Sequence, residues 1–497
     1  MADGRSDIRN VLFLVADEWR GDSLGSLGRP GMSTPHLDAL AADGVTFTNH
    51  WCNASPCGPA RTAFLTGTRQ HTNRVWANDT PADPAIPTIA ARCRANGIDP
   101  LLFGYTDTIQ AGIDPAIDPV AALVDPAFEP VRTFLWQVGF PSWRAALAER
   151  GYAVDQNPNR DDLWATNGRP DEFGLAPAHF SQEDSPVAFL TDAAIDELTK
   201  RATDPSRWLA HVTWLSPHPP LTAAAPYHRL IDPADVPLPV RPNDIDTEAA
   251  RHPFLAWLLG RQSLRGYLQR SARLEDLTER DDRHIRAAYH GMCGEVDTHV
   301  GRLMEHLRAK GQLDHTLIIF TADHGEQLGD HWLFGLRGFF DPHFHVPCII
   351  RDPRLQADET RGTKVDALTE HVDLAPTIYE ALGLDQPGTV EGSSLVPHLD
   401  GTDPTSFQGR DHVICSMDWR TQPFGSRGDV LGLAEHERQF VMVRTDRHKY
   451  VHFPGGLAPL LFDIGEDPDE TRDLASDPTR RGLRHDMAAL AVDYLTR

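Results

Sequence analysis

Apolar residues occur along this chain in two patterns. Short, largely apolar runs cover residues 10–16, 101–103, 208–215, 316–320 and 346–350; the first reads Asn10-Val-Leu-Phe-Leu-Val-Ala16 and stops at Asp17. Runs this short, apolar at most positions rather than at every second one, predict buried strands. Between them the period changes. Ile285, Ala288, Tyr289, Met292, Val296, Val300, Leu303 and Leu307 share one helical face, which predicts a helix over residues 284–310 ended by Gly311. Strand–helix alternation predicts an α/β sandwich with a mostly parallel sheet. Ligand-binding residues of such sheets gather beyond the carboxyl ends of the strands. Asp17 and Asp323 each follow an apolar run, so this architecture can unite two acids that are far apart in sequence.

The intervening segments are less regular. Residues 219–242, rich in Pro and Ala, predict a surface loop. Residues 245–283 place many charges around Phe254, Leu255, Trp257 and Leu258. They predict a helical insertion, whose apolar face suits a contact in a homo-oligomer; a solvated helical hairpin fits equally well. The Gln386-Pro-Gly388 turn divides a catalytic domain, residues 1–384, from a smaller C-terminal α+β subdomain, residues 385–497. A chain of 497 residues has the length for both.

Charge narrows the choice of partner. There are 47 Lys and Arg against 71 Asp and Glu, a net charge of −24. That balance disfavours nucleic-acid backbones and anionic membranes as partners. An anionic small molecule would need local cations or a metal to reverse the field. The six cysteines form no Cys-x-x-Cys pair, and all but Cys57 read as reduced thiols. The apolar run after the polar N-terminus is too short for a signal-peptide core, and no run approaches the ~18 apolar residues of a membrane span. A cytoplasmic protein is expected.

Candidate chemistry lies in three places. Ser55-Pro-Cys-Gly-Pro-Ala-Arg-Thr-Ala-Phe-Leu-Thr-Gly67 sets Cys57 two residues before Pro59 and four before Arg61. Pro59 suits the start of a helix through Arg61 and Leu65, with Cys57 at its N-terminus, where free N–H groups favour an anionic reaction centre. Alone, a Cys beside Pro and Arg is usually structural. Asp323-His-Gly-Glu326 follows the 316–320 run and places two metal-binding side chains together, or else an acid that caps the next helix. Asp17-Glu-Trp-Arg-Gly-Asp22 carries the same ambiguity. Their joint occurrence with Cys57 is far more specific than any one of them.

With those three segments, the chain resembles the sulfatase branch of the alkaline phosphatase superfamily. The likeness extends through Ser33-Thr-Pro-His-Leu-Asp38, Gly44-Val-Thr-Phe-Thr-Asn49, His218-Pro-Pro220, Ala225-Pro-Tyr-His228, Arg444-Thr-Asp-Arg-His-Lys-Tyr450, Leu461-Phe-Asp463 and Arg472-Asp-Leu-Ala475. Gly104-Tyr-Thr106, Asn78 and the Pro-His-Pro-Pro block look most like phosphonate monoester hydrolases and related arylsulfatases. The resemblance implies an alkaline-phosphatase-like sandwich, with a large mixed, mostly parallel sheet between helices. It also implies that a formylglycine-generating enzyme oxidises Cys57 to formylglycine. A hydrated aldehyde offers one hydroxyl to attack sulfur or phosphorus and a second to expel the esterified oxygen. One divalent cation, calcium or manganese, would be held by Asp17, residue 57, Asp323 and His324.

By the same likeness Arg61 orients the nucleophile. Asn78 and Tyr105 donate to non-bridging oxygens, and His218 does so too or protonates the leaving group. Three positions depart from the family pattern. Glu18 stands where many sulfatases have a second metal-binding Asp. Leu336 stands where relatives carry a lysine, with Arg337 beside it. Asp107 replaces a Thr, so it should face away from the substrate or pair with Arg337. The expected activity is hydrolysis of sulfate monoesters of the arylsulfatase type, promiscuous toward phosphonate monoesters and phosphodiesters. Phosphonate monoester hydrolysis as the main activity, and a non-catalytic binding protein on the same fold, are the alternatives.

Overall fold

A computed structural model describes residues 7–154, 164, 176–268, 272–401, 409–420 and 431–497. The largely apolar run at the N-terminus becomes the central strand, Asn10–Asp17, with every residue buried. It pairs in parallel with Arg207–Pro217 on one side and Thr316–Ala322 on the other. Ile98–Gly104 and Glu129–Thr133 extend the sheet in parallel beyond Arg207–Pro217. Beyond Thr316–Ala322 come antiparallel Cys348–Arg351, then Val45–Phe47, then Thr363–Val365 at the other edge. The eight-stranded sheet is therefore mixed and mostly parallel, as the runs predict.

The run at 346–350 does not form one strand. His345–Val346 joins a three-stranded sheet with His50–Trp51 and Thr369–Glu370, while Cys348–Arg351 joins the large sheet. Pro347 stands between them and has no N–H to give to a ladder.

Helices cover both faces. Phe13 and Ala16 lie three residues apart on the central strand and so point to opposite sides. Phe64, on helix Cys57–Thr66, meets Phe13 edge-to-face at 5.3 Å. Trp214, in register with Ala16, donates from its indole to Thr191 of helix Pro186–Arg201. The long helix spans Glu279–Ala309 and starts five residues before the predicted start at 284. Thr278 and Asp281 form a capping box there, so side-chain capping rather than burial fixes the start.

Two segments differ from expectation. Residues 219–242 are irregular but not superficial: Leu221, Ala223, Ala224 and Val236 are buried. Val240 also exchanges bonds with Asp330 and His331. In the 245–283 segment, Phe254, Leu255 and Leu258 are buried and Trp257 is half-buried. Phe254, on helix Pro253–Leu259, packs against Trp419 with ring centroids 4.5 Å apart and also meets Phe339, Phe440 and Phe453. The apolar face that suggested an oligomer contact is covered by this chain itself, so these residues give no reason to expect a partner there.

Those aromatic partners belong partly to a five-stranded sheet. Val413–Asp418, Gln439–Arg444, His448–His452 and Leu460–Asp463 run antiparallel in succession. Its outer strand is Ala54–Ser55, parallel to Val413–Asp418 and immediately before the Cys57 helix. Helix Arg481–Thr496 covers this sheet through Met487, Ala491 and Tyr494. Among the described residues, no helix is long and apolar enough to cross a membrane.

Candidate active site

The register of the large sheet assembles the site. Ala16 is level with Ala322, so Asp17 and Asp323 leave neighbouring parallel strands side by side, both buried. Glu18 then adopts a left-handed conformation with φ 67°, uncommon for a residue with a side chain. Its N–H thereby reaches Asp323 Oδ1 at 3.0 Å. The next residue, His324, donates its own N–H to the same oxygen at 2.9 Å.

The third contributor is helix Cys57–Thr66, buried along its whole length and ended by Gly67 at φ 71°. Arg61 follows Cys57 by four residues and so lies on the same helical face. Its guanidinium donates to Asp323 Oδ2 from Nε at 3.1 Å, to Asp17 Oδ2 from Nη2 at 3.0 Å, and to Thr213 Oγ1 from Nη1 at 2.7 Å. The Tyr105 ring lies 4.3 Å from Arg61 Cζ. Its hydroxyl donates to Asp17 Oδ2 at 2.5 Å and accepts from Arg61 Nη2 at 3.2 Å. Gly104 makes this possible. At φ 120°, a Cβ there would stand 2.3 Å from the Thr213 carbonyl oxygen. Arg61 and Tyr105 thus bind the acids directly, and the Tyr105 proton points at Asp17 rather than toward a substrate.

One donor atom from each of Asp17, Cys57, Asp323 and His324 lies within 4.8 Å of the other three. His324 Nδ1 meets the Gly325 carbonyl oxygen at 3.0 Å, so in the neutral ring Nδ1–H donates and the Nε2 lone pair faces inward, 3.2 Å from Cys57 Sγ. Asp17 Oδ1 is buried without a hydrogen-bond partner among the described residues. A buried carboxylate oxygen left bare is costly. Carboxylates, an imidazole and a side chain at position 57 suit a divalent cation, so these residues fit one.

The charges are unevenly compensated. Burial, then Asp323, pushes the Asp17 carboxyl well above its usual range, against Arg61 and Tyr105. Burial also opposes ionisation of Asp323, but His324, Arg61 and two backbone N–H groups outweigh it and hold that carboxyl at about 2. Burial, with Asp17 and Asp323, pushes the Cys57 thiol up, which disfavours a thiolate.

The remaining predicted residues lie around this centre. Asn78 Oδ1 accepts from the Gly58 N–H at 2.8 Å, which leaves its NH2 as the group that can donate to a ligand. A Cβ at Gly58 would come 3.1 Å from that oxygen, so the motif's glycine keeps the contact open. Asp107 Oδ1 accepts from Trp136 Nε1 at 3.0 Å and from Gln137 Nε2 at 2.6 Å, so neutral donors hold this acid. Leu336 is half-buried against the core. Arg337 faces the carboxylates of Glu326 and Glu18, beside the neutral Tyr267 hydroxyl. His218 places Nδ1 2.6 Å from the Pro219 carbonyl and Nε2 3.8 Å from Glu18 Oε2. Sequence reading missed Thr213, Tyr267 and the use of Glu326, which binds the Tyr267 hydroxyl and the N–H groups of Leu328 and Gly335. Nothing local to Tyr267 marks it, since only the folded segment brings it here.

Paired acids at parallel strand ends, joined by a helix bearing Cys-x-Pro-x-Arg, define an enzyme of the alkaline phosphatase superfamily. The chain belongs to the Sulfatase family, whose model matches residues 9–384. The model described as N-sulphoglucosamine sulphohydrolase, C-terminal, matches residues 329–493. The chain is 34% identical to the multifunctional alkaline phosphatase superfamily protein PehA of Trinickia caryophylli, covering 98% of this chain and 95% of PehA. The crystal structure of the phosphonate monoester hydrolase of Agrobacterium radiobacter superposes with a TM-score of 0.90 at 36% identity, covering 98% and 95% of the two chains. SpPMH, a phosphonate monoester hydrolase from Silicibacter pomeroyi, gives 0.86 at 35% identity, covering 98% and 94%. The chain is a hydrolase acting on ester bonds.

Proposed function

We propose that this protein hydrolyses sulfate monoesters of the arylsulfatase type and accepts phosphonate monoesters and phosphodiesters in the same site. The observation that supports this best is the single cluster of Asp17, Cys57, Asp323 and His324, with Arg61 bonded to both acids. In this reading Cys57 is converted to formylglycine by a formylglycine-generating enzyme in the cytoplasm. Residue 57, Asp17, Asp323 and His324 hold calcium or manganese. When bound, the cation lowers the pKa of an attacking hydroxyl and screens the ester oxygens, and formylglycine supplies that hydroxyl.

The chain's own groups do the rest. Arg61 holds both acids in place and balances part of their charge. The Gly58 N–H fixes Asn78 so that its NH2 donates to a non-bridging oxygen. Arg337 supplies positive charge on the side where the family lysine is absent. Sulfate and phosphonate monoesters are both tetrahedral anions, so one such cradle can take either. The resemblance to two phosphonate monoester hydrolases at 35–36% identity favours phosphonate monoesters as a second candidate for the main substrate.

The test is kcat/KM for an aryl sulfate and an aryl phosphonate monoester carrying the same leaving group. A higher value for sulfate supports the first reading, and a higher value for phosphonate supports the second. No turnover of either by metal-loaded protein would overturn both in favour of a binding protein.

A further inference from the structure

Beside the four-donor cluster lies a second one. Asp17, Glu18 and His218 each bring one donor atom within 4.8 Å of the other two. Glu18 carries the clearest sign that something belongs there. It is 2% exposed, and its Oε2 has no hydrogen-bond partner among the described residues. Asp17 Oδ1 is bare in the same way. A carboxylate buried on a strand end with an oxygen unsatisfied pays its desolvation cost without return.

His218 is posed to complete the set. Its Nδ1 meets the Pro219 carbonyl oxygen at 2.6 Å, an acceptor only, so in the neutral ring Nδ1 bears the proton and Nε2 the lone pair. That lone pair is on the atom nearest Glu18, 3.8 Å from Oε2. The gap is too long for a hydrogen bond. It suits two donors sharing one ion, since ligands at about 2.0–2.2 Å from a cation stand roughly 3–4 Å apart.

Charge points the same way. Asp17, Glu18, Asp107, Asp323 and Glu326 are all buried around this centre. Arg61, Arg337 and, against Glu326, Arg20 are cations facing them. Carboxylates gathered in one buried place call for positive charge before an anionic ester arrives. A second cation would supply such charge on the side where Leu336 cannot.

We propose that Glu18, His218 and Asp17 form a second divalent-cation site next to the one held by Asp17, residue 57, Asp323 and His324. Asp17 is shared by the two. Two carboxylates and one imidazole suit zinc or manganese, and three protein ligands leave positions open for an ester oxygen. The second cation then joins Arg337 in supplying the substrate-binding charge that a lysine at position 336 would have given.

This rests on the one-cation reading above, and metal counting separates the two. The full-length protein is stripped with chelator and loaded with MnCl2. Bound manganese is counted by elemental analysis, and the electron paramagnetic resonance spectrum is recorded. The expected result is two ions per chain with a spin-coupled signal. Glu18→Gln and His218→Ala should each fall to one ion with an isolated six-line signal, and circular dichroism checks their fold. Asp323→Ala should lose the first ion. One ion per wild-type chain, two ions retained in both Glu18→Gln and His218→Ala, or loss of both ions in Glu18→Gln would overturn the second site. Asp323→Ala binding as much manganese as wild type would overturn the first reading instead.

Discussion

Arg61 Nε donates to Asp323 Oδ2 at 3.1 Å, tying the helix that carries Cys57 to the end of the Thr316–Ala322 strand. Side chain and acid are both fully buried, so neither can turn to water if the other is removed. Breaking a buried pair strands a charge, which typically costs about 3–5 kcal/mol. Arg61→Ala should therefore lower thermal stability as well as turnover, and a melt followed by circular dichroism reads the first effect independently of the second. Unchanged stability would mean that the carboxylates find another counter-charge.

Position 57 should carry formylglycine in the active enzyme. Peptide mass spectrometry should find the loss of the thiol sulfur there. Cys57→Ala should reduce kcat by at least about a thousandfold while keeping the fold. Fully active protein containing only unmodified Cys57 would refute this.

Arg337→Ala should lower kcat/KM for aryl sulfates by roughly tenfold to a hundredfold, because it removes positive charge near the ester oxygens. Unchanged kinetics would show that Arg337 serves only to balance Glu18 and Glu326.

Phe254 packs among Trp419, Phe339, Phe440 and Phe453 and is fully buried. Phe254→Ala should destabilise the protein by about 3–5 kcal/mol through lost burial and the remaining cavity. Denaturant unfolding measures this. A change below about 1 kcal/mol would mean the segment holds to the C-terminal sheet by other contacts.

Glu295 supplies a pH test remote from the site. Burial on helix Glu279–Ala309 pushes its carboxyl from the usual 4.5 up to about 7, against a bond from Ser185. Between those values the folded state holds a proton that the unfolded state has released. Its stability contribution is therefore complete below about 4.5 and is lost as pH rises through about 7. Glu295→Gln removes that dependence. The variant should gain on wild type between pH 5 and pH 8 by an amount on the order of 2–3 kcal/mol, seen as a widening difference in Tm. Parallel pH profiles would contradict the assignment.

The sequence showed the centre of this molecule better than its surroundings. Asp17 and Asp323 follow largely apolar runs, and parallel pairing alone sets them side by side. Cys57 and Arg61 are four residues apart, one helical turn. These relations follow from local periodicity. The neighbours of Asp107 do not: Trp136 and Gln137 reach it through tertiary folding. Tyr267, on the short helix Arg265–Leu268, reaches Glu326 only because that part of the chain folds back over the site. Phe254 and Leu258 suggested an oligomer face because apolar spacing shows that a face needs cover without showing which residues cover it. The break at Pro347 was readable from its missing N–H, though the run around it is apolar throughout.

The pairing of Ala54–Ser55 with Val413–Asp418 has a consequence in time. Asn53 Nδ2 donates to the Ile414 carbonyl oxygen at 3.1 Å, a contact between residues 361 positions apart. The lead-in to Cys57 is therefore clamped by a strand that the ribosome makes much later, and Cys57 in the finished structure is only 6% exposed. At about 5–20 residues per second, that delay is roughly 20–70 s. On the formylglycine reading, the oxidising enzyme meets its target as a loose nascent segment. Slower translation lengthens that encounter, and early docking of the C-terminal strand closes it.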